Sequence, residues 1–306
     1  MQSSSWARFK ESTGYCVTRL GLFEENNLTG FTNAFQFGSS KSEILSCPEG
    51  PVLDWQNPEK ARVALRLLSQ YVRDEMLDVL GLRIQPELDS PSPGWLRNWA
   101  RGPVDLTPDH TLYVYLQDSL EEIQTRMKPK ARYNLRVSAK HGVEVVSAKI
   151  VEAVFDFYTL FQETAARNGF YAEPIGFFLD LAATHFPNGS AEILFATYKG
   201  EPIAAIWVIY FGRRATYLYG GSSSLNRPMM PNFALHWQVI LNAKTRGCKE
   251  YDLYGYDPFG RTDHLYAGIT RFKTQWGGTR QSRMGARDYI FYDRLAAAVV
   301  EKLTTV

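Results

Sequence analysis

A lone lysine set among aromatic rings is the chemical signal around which this chain is organised. Lys273 stands between Phe272 and Trp276 near the end of the segment Tyr251 to Gly278, YDLYGYDPFGRTDHLYAGITRFKTQWGG. Tyr251 to Gly255 reads as a buried strand. Pro258, Gly260 and Asp263 mark a loop, and Leu265 to Phe272 a short helical turn. A cation delivered in this way can stabilise negative charge that develops on a substrate. The same pattern suits a surface lysine whose aliphatic stem covers Phe272.

Other cations fall into two groups. Arg132, Arg136 and Lys140 recur every fourth residue, with no acidic residue between Lys128 and Lys140. On a helix opened by Pro129 they share one face, which suits either a row of phosphates or solvent. Tyr133 and Val137 lie on a neighbouring face and are expected to pack inward. Arg213 and Arg214 follow Gly212 in a turn that leads to Tyr217 and Tyr219. A guanidinium fork fits phosphate; a solvated turn cation is the alternative. His110, His141, His185, His236 and His264 lack metal-ligand spacing, and no metal site is expected. Of these, His264 falls inside the key segment. No phosphate loop and no nucleophile elbow is present.

The 306 residues suggest about two domains, and 45% hydrophobic content is enough to build their cores. A net charge of +2 excludes recognition of a polyanion by bulk charge, so any such site must be local. Cys16, Cys47 and Cys248 are scattered, which gives neither a disulfide framework nor a zinc site and fits a reducing cytoplasm. No signal peptide is evident. The longest apolar run, Ile203 to Phe211, is too short to span a bilayer, so membrane contact is expected to be peripheral.

The positioning elements follow from periodicity. Ser3 to Ser5 cap a first helix bearing Trp6 and Phe9, with Lys10 one turn beyond Trp6. Strands are predicted at Tyr15 to Phe23 and Phe31 to Phe37, then a turn at Pro48 to Pro51. A helix from Pro58 carries Val63, Leu67 and Leu68, and strands follow at Val79 to Ile84 and Thr111 to Leu116. The second half repeats the scheme. Helices at Val151 to Asn168 and Ile175 to His185 precede strands at Glu192 to Tyr198, Ala204 to Tyr210 and Ala215 to Tyr219. A helix from Pro231 then leads to the Tyr251 strand. The tail from Arg280 opens like a strand and continues as an amphipathic helix through Leu295, Val299 and Leu303.

Four stretches, in chain order, resemble the FemABX family of aminoacyl-tRNA-dependent transferases that build the interpeptide bridge of bacterial peptidoglycan. Gln2 to Lys10 resembles its opening helix and Pro48 to Val52 its Gly-Pro turn. Lys128 to Arg136, closing at Gly142 and Val143, resembles its basic helix. The Tyr251 to Gly278 segment resembles its strand, glycine loop and Phe-Lys run. The resemblance implies an α/β (α+β) fold of two tandem GNAT-like acyltransferase domains, expected at 1–148 plus 279–306 and at 149–278. It implies that an amino acid of the Gly, Ala or Ser class moves from aminoacyl-tRNA to the stem-peptide amine of UDP-MurNAc-pentapeptide or lipid II. The implied enzyme needs no cofactor and is a cytoplasmic monomer, peripheral at the inner membrane face. Lys273, beside Phe272, would be the catalytic cation. Lys10 and Arg213, with Arg214 as the fallback, would hold the precursor's phosphates. Tyr217, Tyr219, Tyr254 and Tyr256 would shape the acceptor pocket, and Arg132, Arg136 and Lys140 would take the tRNA.

The chain departs from the family pattern in places. Gln85 follows the strand ending Leu82-Arg83-Ile84, where some members carry an acid that could serve as a base. No long heptad hairpin is present. The loop Asn226 to Asn232 has two prolines and no glycine, unlike the amide-rich loop that cradles pyrophosphate in acetyl-CoA enzymes of this fold. Rival readings are a related tRNA-dependent ligase acting on a small peptide metabolite, a non-catalytic precursor- or RNA-binding protein, and an acetyl-CoA enzyme.

Overall fold

The computed structural model describes residues 1–37, 43–261 and 267–296. The chain divides into two units, Met1–Asp109 with Ser282–Val306, and His110–Gln281. The expected boundary after residue 148 thus moves to the region of residue 110. The cause is hydrogen bonding: the strand from His110 pairs with the Tyr251 strand and so belongs to the second sheet. His264, Val299 and Leu303 lie outside the described residues.

In the first unit, α1 (Ser4–Ser12) begins at Ser3, whose hydroxyl accepts from the Trp6 amide. The strands β1 (Tyr15–Glu24) and β2 (Asn27–Phe37) form an antiparallel hairpin. Then β3 (Glu43–Pro48), α2 (Pro58–Glu75) and β4 (Val79–Gln85) make a parallel pair with its crossover helix. A short β5 (Ala100–Arg101) ends this stretch. Helix α2 buries Ala61, Leu65, Leu68 and Val72 and leaves Val63 and Leu67 in solvent. Gln2 explains part of the opening motif. Its buried amide donates to the Asn33 and Pro48 carbonyls and accepts from the Asn33 amide, so one side chain ties β2 to β3.

The second unit runs β6 (His110–Tyr115), α3 (Leu120–Arg126), α4 (Pro129–Lys140), β7 (Glu144–Ala148), α5 (Ala153–Asn168) and α6 (Ile175–His185). It continues through β8 (Ala191–Tyr198), β9 (Glu201–Phe211), β10 (Arg214–Ser222), α7 (Pro231–Thr245), β11 (Glu250–Gly255), α8 (Ala267–Lys273) and β12 (Thr279–Ser282). Its strands lie in the order β12-β6-β11-β10-β9-β8-β7. Chain then returns to the first unit as β13 (Arg287–Ile290), seated between β4 and β5, where Asp288 receives a two-pronged ion pair from Arg83.

Two local features of β10 shape the rest. A bulge shifts the register between Tyr217, opposite Val208, and Tyr219, opposite Trp207. Those partners are adjacent and point to opposite faces, so the two tyrosines do as well. Tyr217 meets His236 of α7, whereas Tyr219 packs edge-on against Phe161, Phe177 and Phe178 of α5 and α6. Further on, Gly221 lies against the backbone of α5: a Cβ there would sit 2.5 Å from the Leu160 carbonyl carbon and the Phe161 nitrogen. Backbone on both sides leaves nothing to rotate away. Gly221→Ala should therefore destabilise the fold by about 1–3 kcal/mol, read as a Tm lower by several degrees in a thermal melt.

Candidate active site

Strands β10 and β11 run parallel and pair at only three rungs, Arg214 with Glu250, Ala215 with Tyr251 and Thr216 with Asp252. Beyond Thr216 the ladder stops, and Lys273 sits where it stops. Its Nζ donates to the Gly255 carbonyl at 2.7 Å and stands 5.4 Å from the centre of the Tyr217 ring. The side chain is 4% exposed. Burial lowers its pKa from the ordinary lysine value to about 7, with the Asp252 carboxylate pulling the other way. The solvated-surface alternative for this lysine is therefore wrong.

Three features hold it there. Helix α8 is fastened by the Thr270 hydroxyl, which accepts from the Asp257 amide. Buried Asp257 also accepts from the amides of Phe259 and Arg261, organising residues 257–261. After Lys273 a short 3₁₀ turn, Thr274–Trp276, ends at Gly277 with φ +69°. A side chain at Gly277 would collide with the Arg126 carbonyl, and the Lys128 amide donates to the Gln275 carbonyl at 2.9 Å.

Two of Lys273's neighbours carry no motif in the sequence. Asp252 is buried, and one of its oxygens accepts from the Thr111 hydroxyl and, at 2.7 Å, from the Tyr254 amide. It thereby stabilises the left-handed turn at Tyr254 (φ +63°) that precedes Gly255. The signal available in sequence was a lone carboxylate inside an aromatic strand. His236 is buried between the rings of Tyr217 at 4.7 Å and Phe272 at 4.9 Å, with Nδ1 2.7 Å from the Tyr251 hydroxyl. Burial, then the Lys273 charge, push its pKa down to about 3, so the ring stays neutral. Its signal was one histidine on the buried side of α7.

The structure gathers some of the sequence-predicted residues around Lys273 and separates others. Phe272 packs edge-on against Phe233 at 5.1 Å, closing one side. Tyr217 joins it directly, with burial raising its phenol to about 12. Tyr254 forms the turn before Gly255, and Tyr256 packs against His110. Tyr219 belongs to the opposite face of the sheet. Arg213 is exposed in the turn before β10, and Arg214 pairs with Glu250 at 2.6 Å and stacks over Tyr113. Both stand at the start of the β10–β11 pair, away from Gly255 at its end. Lys10, in the first unit, lies 3.6 Å from the centre of the Tyr15 ring. On α4, Arg132 folds back to donate to the carbonyls of Gln124, Thr125 and Met127, so it caps α3, while Arg136 and Lys140 are exposed. Tyr133, expected inward, is exposed, and the buried positions of α4 are Ala131, Asn134 and Ser138. Gln85 is buried, donating to the Thr107 carbonyl and accepting from the amides of Leu106 and Thr107.

The loop before α7 turns on itself. The amides of Met229, Met230 and Phe233 donate to the carbonyls of Asn226, Arg227 and Met230, and Pro228 and Pro231 have none to offer. Among the described residues no three His, Cys, Asp or Glu side chains gather as a metal site. Because Lys273 binds its proton less readily when folded, the unfolded chain holds more protons between pH 7 and the ordinary lysine value near 10.4. Stability should therefore rise with pH across that window. Lys273→Met should flatten the rise and leave Tm at pH 7 equal to or above that of the wild type, measured by melts at stepped pH.

The chain's relatives extend over nearly its whole length. Residues 1–91 match the FemAB family model, and residues 126–274 match that of the Acetyltransferase (GNAT) domain. Lipid II:glycine glycyltransferase of Staphylococcus saprophyticus is 19% identical over 364 residues, covering 95% of this chain and 88% of the relative. The protein of that name from Staphylococcus aureus is 20% identical over 369 residues, with 95% and 87% covered. Among solved structures, FemX superimposes with a TM-score of 0.86 at 17% identity, covering 97% of this chain and 94% of its own. A tandem GNAT protein from the clavulanic acid biosynthesis pathway gives 0.55 at 10% identity, with 90% and 83% covered. These likenesses establish a mixed α/β fold built of GNAT-like domains. With both halves matched in order, this chain resembles the FemABX family over nearly its whole length.

Proposed function

We propose that the protein moves an amino acid from the ester of an aminoacyl-tRNA to the stem-peptide amine of a peptidoglycan precursor, forming the interpeptide bridge. The observation that carries this reading is the buried cation at the parting of β10 and β11. Relatives named Lipid II:glycine glycyltransferase support glycine as the donated residue and lipid II as the acceptor. A membrane-borne acceptor accords with peripheral attachment; no described helix is long and apolar enough to cross a bilayer.

In this reading the acceptor amine attacks the ester carbonyl carbon and a C–N bond forms. The carbonyl oxygen becomes an oxyanion beside the Lys273 ammonium. Collapse breaks the C–O bond, and the ribose oxygen leaves with a proton equal to the one the amine gives up. Ester to amide runs downhill, so the protein's task is to align the groups and stabilise charge. The low-dielectric surroundings of Lys273 strengthen that stabilisation. The consumed amides and two prolines before α7 favour this donor over coenzyme A, whose pyrophosphate needs free N–H groups there.

Radiolabelled amino acids carried on total tRNA should be transferred to lipid II or to UDP-MurNAc-pentapeptide. Absence of product with both acceptors, despite precursor binding, would overturn the proposal in favour of a binding protein or a ligase for another peptide. Lys273→Ala should cut turnover about 10²- to 10³-fold. The oxyanion role needs the protonated lysine, so wild-type turnover should decline on the alkaline side of about pH 7, the value to which burial lowers Lys273. Lys273→Arg, which stays charged, should lose that alkaline limb in a pH–rate profile.

A further inference from the structure

Helix α4 presents an aromatic ring to solvent in the middle of a row of cations. Tyr133 is 60% exposed. On the helical wheel Lys130 and Arg136 lie about 60° to either side of it, and Lys140 about 20° away two turns on. Lys128, Lys130, Arg136 and Lys140 are exposed and in no ion pair with a described residue. Arg132 takes no part, being folded onto the end of α3. The opposite side of the helix is buried through Ala131, Asn134 and Ser138, so the orientation of Tyr133 is fixed by the core.

The start of this helix is tied to the catalytic segment. The Lys128 amide donates to the Gln275 carbonyl, two residues beyond Lys273, and Gly277 lies against the Arg126 carbonyl. Tyr133 stands about 7.5 Å along the axis from Lys128, and Lys140 about 18 Å. A polymer whose end reaches Lys273 would therefore have α4 alongside.

We infer that Tyr133 is a stacking platform for an unpaired base of the RNA donor, with Lys130, Arg136 and Lys140 following its phosphates. An exposed ring between cations is the combination that single-stranded RNA uses: the base covers the ring, and the backbone lies along the charges. A double-stranded stem alone would use the cations and leave the ring in water. The inference rests on the tRNA-dependent reading above and adds to it the residue that grips the donor's single-stranded end.

The test measures binding of a single-stranded oligoribonucleotide matching the tRNA 3′ end, together with transfer from charged tRNA, in wild type and variants. Tyr133→Ala should weaken oligonucleotide binding about 5- to 150-fold and raise KM for aminoacyl-tRNA, with the salt dependence unchanged. Tyr133→Phe should restore both. Arg136→Ala and Lys140→Ala should each weaken binding and reduce the slope of log K against log salt by roughly 0.7. Stacking and charge are thereby read separately, and equal Tm values confirm that the exposed substitution leaves the fold intact. Tyr133→Ala binding within about twofold of wild type, in an enzyme that transfers from tRNA, would overturn the inference and leave the functional reading standing. Wild type that neither transfers from tRNA nor binds the oligonucleotide would overturn both.

Discussion

The desolvation of one ammonium group governs the second unit. Lowering a lysine pKa from near 10.4 to about 7 corresponds to roughly 5 kcal/mol against the charged form. That figure is what remains after the fold has set a carbonyl, a ring face and a carboxylate against the larger cost of burial. Such a group persists only if its surroundings cannot rearrange to release it. The strained turn at Tyr254, the backbone contact at Gly277 and the ring wall of Phe272, Tyr217 and His236 supply that rigidity. An unmet electrostatic need is what a developing oxyanion would satisfy, so the site's instability and its proposed chemistry share one cause.

The order of elements was legible in the sequence because strands and helices here carry clean periodicities bounded by glycine and proline. Lys273 was legible too, through its aromatic frame and the resemblance of the whole segment. What escaped depended on contacts between distant residues. Tyr217 and Tyr219 are two apart and should share a face; a one-residue bulge separates them, and no composition signal marks it. Arg132 looked like one member of a basic row, but the end of α3 needed its carbonyls satisfied and took it. Tyr133 looked like core because it is aromatic, yet the helix is anchored by Ala131, Asn134 and Ser138, small or polar residues that permit close packing. The unit boundary was missed because the strand from His110 joins a sheet whose other members begin at residue 144 or later.

With only 17% identity, FemX still superimposes at a TM-score of 0.86. The conserved quantity is thus the pattern of strand pairing and helix seating, not the identity of the packed side chains. Substitution is physically most constrained where backbone meets backbone, as at Gly221 and Gly277, or where a buried polar group has a full set of partners, as with Gln2 and Gln85.

Gln85 has a consequence for how such an enzyme can change over time. Its amide donates in one direction and accepts in the other, and both functions are taken up by the 106–107 backbone. A carboxylate in its place has no proton to give the Thr107 carbonyl and would set two acceptors against each other in a dry site. Mutation to an acid is therefore opposed by the fold itself, whatever advantage a base at that point would confer. The clamp therefore holds position 85 to a neutral side chain: an acid there would stay protonated to keep the Thr107 contact, or the 106–107 backbone would have to move.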